Sequence, residues 1–211
     1  MNIGNKRIIA IMGPSGAGKT TLGDLLVSRN GFSVSKHATT RNRRNDDKEG
    51  FYRYLSHEEY RMLVENDAFF ITSGDGPVVS KEYGNFYGVL KQDCLSVFNK
   101  GNNIILYVSY KDIDRLMELK NEGFNIDIVG ITFSDIEKGV RNRLLNDHTR
   151  NHTEEDMKRR IDIAISDNEK YRKLLEIHAT SIVYTDLLNI EETYNKVVKD
   201  LELESKICKS L

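Results

Sequence analysis

The chain has 211 residues, 39% of them hydrophobic and 30% charged, which is enough to bury a sizeable core and typical of an ordinary soluble protein. Its 31 basic and 32 acidic residues leave a formal charge of −1, so no global field draws it to DNA, RNA or an anionic membrane, and any anion site has to be local. Cys94 and Cys208 lie far apart and match no metal-ligand spacing, and RIIAIMG (7–13) is too short for a signal or a span. A cytoplasmic protein with no membrane partner is expected.

KRIIAIMG (6–13) is a short apolar run rich in β-branched residues and suits a buried central strand. KTTLGDLLVSRN (19–30) carries Leu22, Leu25 and Leu26 at helical spacing and stops at Gly31. FSVSKHATT (32–40) reads as a strand. SHEEYRMLVEND (56–67) opens with Ser56 and Glu59 in capping-box relation, which predicts a helix. NNIILYVS (102–109) and FNIDIVGITF (124–133) are further strands, separated by the helical DIDRLMELKNEG. Helices over about 134–146 and 153–176 follow, the second with Thr153 as N-cap. SIVYTD (181–186) is a last strand and IEETYNKVVKDLELE (190–204) a closing helix.

This alternation predicts an α/β fold whose central parallel sheet is covered on both faces. Pro14 and Pro77 are the only prolines, and there is no flexible linker, repeat or low-complexity tract. Residues 37–88 and 143–156 break the alternation. They read as insertions on one core made of 1–36, 89–142 and 157–211.

GPSGAGKT (13–20) matches G-x-x-x-x-G-K-[ST] in full, between a predicted strand and a predicted helix. Gly13, Gly16 and Gly18 let the backbone wrap so that successive N–H groups aim at a β-phosphate, and the helix adds its positive end. Lys19 can reach the β- and γ-phosphates, and the Thr20 hydroxyl can ligate Mg²⁺. Ser15, Ala17 and Thr21 complete the expected contacts to ATP. A P-loop NTPase-type three-layer core that binds a nucleoside triphosphate follows.

The loop alone does not separate kinases from other NTPases, but the next segment does. TTRNRR (39–44), the acid Asp47 and then GFYRYLS (50–56) resemble the guanylate kinase family, whose pattern is S-x-T-T-R-x-x-R, an acid, then G-x-x-Y. GNFYG (84–88) is similar to that family's second tyrosine motif, and RLLNDHTRNHTEEDMKRRI (143–161) to its lid. VYTDLLNIEETYNKV (183–197) has its closing spacing, so the resemblance spans nearly the whole chain.

The resemblance implies that 37–88 is a nucleoside monophosphate-binding insertion and 143–156 a short lid. Arg41, Arg44, Tyr52 and Tyr87 would hold the acceptor's phosphate, with Asp47 as their acidic neighbour. Arginine forks grip phosphate bidentately and tyrosine hydroxyls donate without adding charge. Arg43 and Arg53 are expected to be solvated surface. The lid arginines Arg143, Arg150 and Arg160, with Lys19, would act on the transferring phosphoryl group, and Thr185 and Asp186 would lie near the donor base. A rival for the lid is a metal site at His148 and His152, spaced i,i+4, but no third ligand is evident. Nucleic-acid binding is not expected, because Asp46, Asp47 and Glu49 interrupt the basic run.

Three departures stand out. Where the family reads guanine with a hydroxyl, a glutamate and a second hydroxyl, this chain has His37, Ile71 and Val89. A carboxylate can accept guanine N1–H and N2–H and isoleucine cannot; each buried donor left unpaired costs about 1–3 kcal/mol. Tyr107 and Ser109 replace two aspartates. The connection TSGDGPVVSKEYGN (72–85) is longer than usual and carries Asp75 and Glu82, either able to return a carboxylate to the pocket.

The expected function is ATP- and Mg²⁺-dependent phosphoryl transfer to a nucleoside monophosphate, GMP or dGMP first, with guanine preference weakened or replaced. The alternatives are a P-loop kinase for another phosphorylated small molecule, such as a ribose phosphate, and a non-catalytic interaction module of the same fold. Small nucleotides are the expected partners. Oligomeric state is not legible.

Overall fold

The computed structural model describes residues 6–45, 47–72, 84–147 and 153–204. Five strands form the central sheet: β1 (Arg7–Met12), β2 (Ser33–Val34), β7 (Ile104–Val108), β8 (Asn125–Thr132) and β9 (Ser181–Tyr184), in the order β2-β7-β1-β8-β9. Every pairing among them is parallel. Each crossover from one parallel strand to the next therefore carries helix, as the alternation in the sequence requires.

The side chains of β1 show why the sheet is covered twice. Ile8, Ala10 and Met12 enter one apolar layer and Ile9 and Ile11 the other, since successive residues of a strand point to opposite faces. The first layer is closed by α3 (Lys91–Phe98), α4 (Ile113–Asn121) and the C-terminal half of α6 (Glu154–His178), through Cys94, Leu116, Leu119 and Leu175. The second is closed by α1 (Lys19–Asn30), α5 (Ile136–Leu145), the start of α6 and α7 (Ile190–Asp200), through Leu22, Leu26, Val140, Ile161 and Val197.

A second, four-stranded sheet comes from the 37–90 segment: β3 (His37–Thr39), β4 (Tyr52–Tyr54), β5 (Phe69–Thr72) and β6 (Tyr87–Leu90), ordered β4-β3-β6-β5. Its β3–β4 pair is parallel and its other two pairs antiparallel. Helix α2 (His57–Glu65) lies over it and packs Tyr60 against Phe69, Phe86 and Leu90. The capping box expected at Ser56 and Glu59 is present.

The run 32–40 is not one strand. β2 ends at Val34, the Ser35 N–H donates to the Ile105 carbonyl, and the chain then leaves for β3 in the second sheet. The His37 imidazole takes over at the vacated edge: Nε2 lies 3.1 Å from the Tyr107 N–H nitrogen and 3.0 Å from the Tyr107 carbonyl oxygen. A side chain thus continues the ladder that the backbone gives up. The closing helix ends at Asp200 rather than 204, and Glu202 has φ of 51°.

Candidate active site

The P-loop follows β1 directly. Gly16 and Gly18 have φ of 77° and 96°, left-handed values that side-chain-bearing residues rarely adopt. At Gly13 the constraint is space: a Cβ there would lie 1.9 Å from the Ile131 carbonyl oxygen. Gly18 is the N-cap of α1 and offers no side chain to its first N–H groups, and no acid lies in the first turn. Such an uncapped helix start suits an anion. Lys19 Nζ donates to the Gly13 and Pro14 carbonyls at 2.7 and 2.9 Å. Desolvation pushes its pKa down to about 8. Thr20 and Thr21 are exposed on the first turn.

Two expected cations meet this loop. Arg160 lies 3.3 Å from Ser15 Oγ through Nη1, while its Nε donates to Asp156 at 2.8 Å. Only 12% of its side chain is exposed, so Asp156 fixes its direction. The Arg143 side chain lies over Gly16, whose Cβ would come within 2.8 Å of the Arg143 Cβ. Arg150, His148 and His152 lie outside the described residues, as do Asp75 and Glu82. From the far side of the loop, Thr185 Oγ1 donates to the Ala17 carbonyl at 3.2 Å. Asp186 accepts from the Ser134 N–H and hydroxyl, which ties the end of β9 to the start of α5.

The acceptor-side residues also converge. Arg41 sends its fork to Asp47, Nη1 at 2.7 Å and Nη2 at 2.5 Å, and both side chains are only 6% exposed. Asp47 further accepts from the Arg44 backbone N–H at 2.7 Å and the Tyr54 hydroxyl at 2.6 Å. The Arg41 guanidinium lies over the Tyr52 ring at 4.5 Å and the Tyr54 ring at 5.9 Å. Burial alone would lower the Arg41 pKa, but Asp47 and Tyr52 outweigh it and raise it. The Asp47 carboxyl, bonded by Arg41, is held far below the usual carboxylate range. Burial raises the Tyr87 phenol while the nearby Arg41 and Arg44 charges oppose it, so Tyr87 faces the same cationic spot.

Tyr54 was not anticipated. Its signal was available: two residues after Tyr52 on a strand, it shares that residue's face. Arg53 corrects an expectation. Rather than solvated surface, it is a bidentate partner of the buried Asp93 on α3, at 2.8 and 3.2 Å, tying the second sheet to the core. A third tie joins Lys48 to Asp24, one turn beyond Thr20 on α1, at 2.6 Å.

The positions where guanine-reading residues were absent are packed. Ile71 and Val89 face each other across β5 and β6, both buried in the layer that holds Tyr110 and Ile113. His37 stacks on Phe51 at 5.2 Å and 4°, with Tyr107 close to both. Burial pushes the imidazole pKa down to about 4, so it is neutral. The Tyr107 hydroxyl approaches Gly23 on α1 and has no partner. Ser109 caps a single turn of 3₁₀ helix (Tyr110–Asp112) that leads into α4. Asp112 returns its Oδ2 to the Ser109 N–H at 2.7 Å, but its Oδ1 is buried with no partner. Burial pushes this carboxyl up to about 7.

Among the described residues no cluster of three His, Cys, Asp or Glu side chains could hold a metal, and no helix is long and apolar enough to cross a membrane. The exposed Thr20 hydroxyl beside a phosphate loop still fits Mg²⁺, which keeps most of its waters and takes one or two protein ligands plus phosphate oxygens.

Comparison with known proteins bears on the family and the fold. The guanylate kinase of Clostridium acetobutylicum is 31% identical over 137 residues, covering 64% of this chain and 62% of that protein. The guanylate kinase of Caldanaerobacter subterraneus is 31% identical over 138 residues, covering 64% of each chain. Both matched stretches span less than two thirds of the relative's own length. A crystal structure of guanylate kinase from Anaplasma phagocytophilum shares the fold, with a TM-score of 0.64 at 20% identity over 93% of this chain and 85% of that one. The family model described as guanylate kinase matches residues 5–204, and the chain belongs to the guanylate kinase family.

Proposed function

We propose that this protein transfers the γ-phosphoryl group of ATP to the phosphate of a nucleoside monophosphate, GMP or dGMP first. The observation that carries the proposal is the Arg160 guanidinium at Ser15, beside Gly16, over which the stem of Arg143 lies. Cations resting on a P-loop sit where the charge of a transferring phosphoryl group develops. A loop that only bound a nucleotide would not need them. Arg44, Tyr52 and Tyr87 supply donors to the acceptor's phosphate, with the Asp47-bound Arg41 as a fixed positive charge beneath them. The attacking phosphate oxygen is already anionic, so no general base is required, and catalysis comes from alignment and charge stabilisation. Thr20 would hold the Mg²⁺ that shields the donor's phosphates. The 37–88 segment is the acceptor-binding insertion and 143–156 the lid in this proposal, and Thr185 flanks the donor nucleotide.

Release of ADP, followed across GMP, dGMP, IMP, AMP, CMP, UMP and ribose phosphates, tests the proposal. Turnover of a nucleoside monophosphate supports it. ATP binding without turnover of any acceptor would overturn it. One observation favours a second reading, a kinase for a phosphorylated small molecule without a base: Ile71 and Val89 offer an acceptor no hydrogen bond. Turnover confined to ribose phosphates in the same panel would select that reading.

A further inference from the structure

We infer that Asp112 reads the acceptor's base, its free carboxylate oxygen accepting a ring or exocyclic N–H of guanine in place of the carboxylate missing at Ile71. This rests on the proposed kinase activity and names the residue that would give it base preference.

Asp112 is 2% exposed, and only one of its oxygens is bonded. A fold that needed this side chain only to cap the 3₁₀ turn would leave no second buried oxygen bare, since that costs about the desolvation of the group. Position relates the bare oxygen to the acceptor side. The carboxylate is close enough to the Tyr60 phenol to help raise its pKa, and the Tyr60 hydroxyl donates to the carbonyl of Tyr87, a residue of the phosphate clamp. Asp112 is flanked by Tyr110 and Ile113, which share an apolar layer with the cross-strand pair Ile71 and Val89. One turn along α4, Arg115 reaches the carbonyl of Phe70, next to Ile71. The start of α4 is thereby tied to β5, the strand that lacks its carboxylate. Burial also pushes the Asp112 carboxyl up to about 7, outweighing the Ser109 N–H and the Lys111 charge that oppose it.

Chemistry then selects the ligand. A lone acceptor among apolar side chains favours a base edge that presents N–H groups. Guanine and hypoxanthine present N1–H, and adenine presents a bare N1 in the same place. The test uses Asp112→Asn, which keeps an oxygen for the Ser109 N–H and replaces the bare oxygen by an amide NH₂. The preference for GMP over AMP in kcat/KM is expected to fall at least tenfold, mostly through KM for GMP, with KM for ATP unchanged. GMP binding by titration calorimetry, without donor, should weaken by a similar factor. Unchanged GMP binding and selectivity in a folded Asp112→Asn protein would overturn the assignment while leaving the kinase proposal standing. If the wild-type protein neither binds nor turns over a guanine nucleotide, the base reading falls with the GMP proposal. An Asp112→Gly variant, which removes the carboxylate without adding a donor, separates a lost acceptor from a misplaced amide and should also lose the preference.

Discussion

Replacing Asp47 by alanine should unfold the acceptor-side clamp from within. Asp47 receives four hydrogen bonds, two from the Arg41 fork, one from the Arg44 backbone and one from the Tyr54 hydroxyl. Both members of the ion pair are 6% exposed. Without the carboxylate, Arg41 stays buried with no counter-charge, and breaking a buried pair from one side costs about 3–5 kcal/mol. For a chain of this length each kcal/mol lowers Tm by about 2–4 °C, so a fall of roughly 6–20 °C is expected at neutral pH. Thermal and urea unfolding, with the m-value checked for constancy, measure it. The acid dependence has a definite sign. The folded carboxyl titrates below its unfolded value of about 3.9, so its contribution is complete above that pH and is lost as pH falls through the folded value. The gap between wild type and Asp47→Ala should therefore close in strong acid. A Tm change under about 2 °C at neutral pH would refute the reasoning, because it would place this pair with exposed surface salt bridges.

Lys19 predicts a pH dependence in the opposite range. Its folded pKa of about 8 lies below the ordinary lysine value, so charging it costs stability below pH 8, and that cost is relieved as pH rises from about 8 toward 10.5. Affinity for a triphosphate, which needs the charged amine, should be level below pH 8 and fall by up to tenfold per pH unit above it, about 1.4 kcal/mol per unit; a level calorimetric profile to pH 9.5 would contradict this. The Tyr107 hydroxyl is buried without a partner, so Tyr107→Phe should stabilise the fold by about 1 kcal/mol in urea titrations. Gly23→Ala should destabilise it, because the new Cβ would lie 1.9 Å from that hydroxyl, and the double variant should recover part of the loss. Strictly additive effects in the cycle would show that the two positions are not in contact.

What could be read from sequence alone was local in origin. The P-loop is contiguous, its glycine conformations follow from its residues, and α1 ends at Gly31 in a left-handed C-cap as its sequence predicts. The capping box at Ser56 depends on residues three apart. The second sheet was invisible because its strands run three or four residues and are defined by partners elsewhere in the chain. Helix α3 has Leu90 as its N-cap, with no side-chain cap, so nothing local marked its start. Arg53 read as surface because its partner, Asp93, is 40 residues away. The phosphate-side clamp was legible as composition, but its internal order was not. Only the structure shows that the Arg41 fork goes to Asp47, with Tyr52 against Arg41 and Tyr87 beside Thr39.

The positions that depart from the family pattern share a physical fate. Ile71 and Val89 became core, His37 became a bracket on the edge of β7, and Tyr107 fills the space between that strand and α1. Exchanging polar readers for packing should remove buried polar groups from the junction between the two sheets. It does not remove all of them. Buried side-chain polar atoms without a partner among the described residues are His37 Nδ1, Tyr107 Oη, Tyr110 Oη, Asp112 Oδ1 and Thr132 Oγ1. Tyr110 and Thr132 lie near enough to influence each other, and the His37 ring lies near enough to the Ser35 backbone, which leaves Tyr107 Oη and Asp112 Oδ1. The first lies in β7 and turns toward Gly23 on α1, and the second lies at the start of α4 between Tyr110 and Ile113. The two face different layers, and only Asp112 is flanked by the layer that holds Ile71 and Val89, so of the two it is the one whose bare oxygen the base-reading proposal concerns.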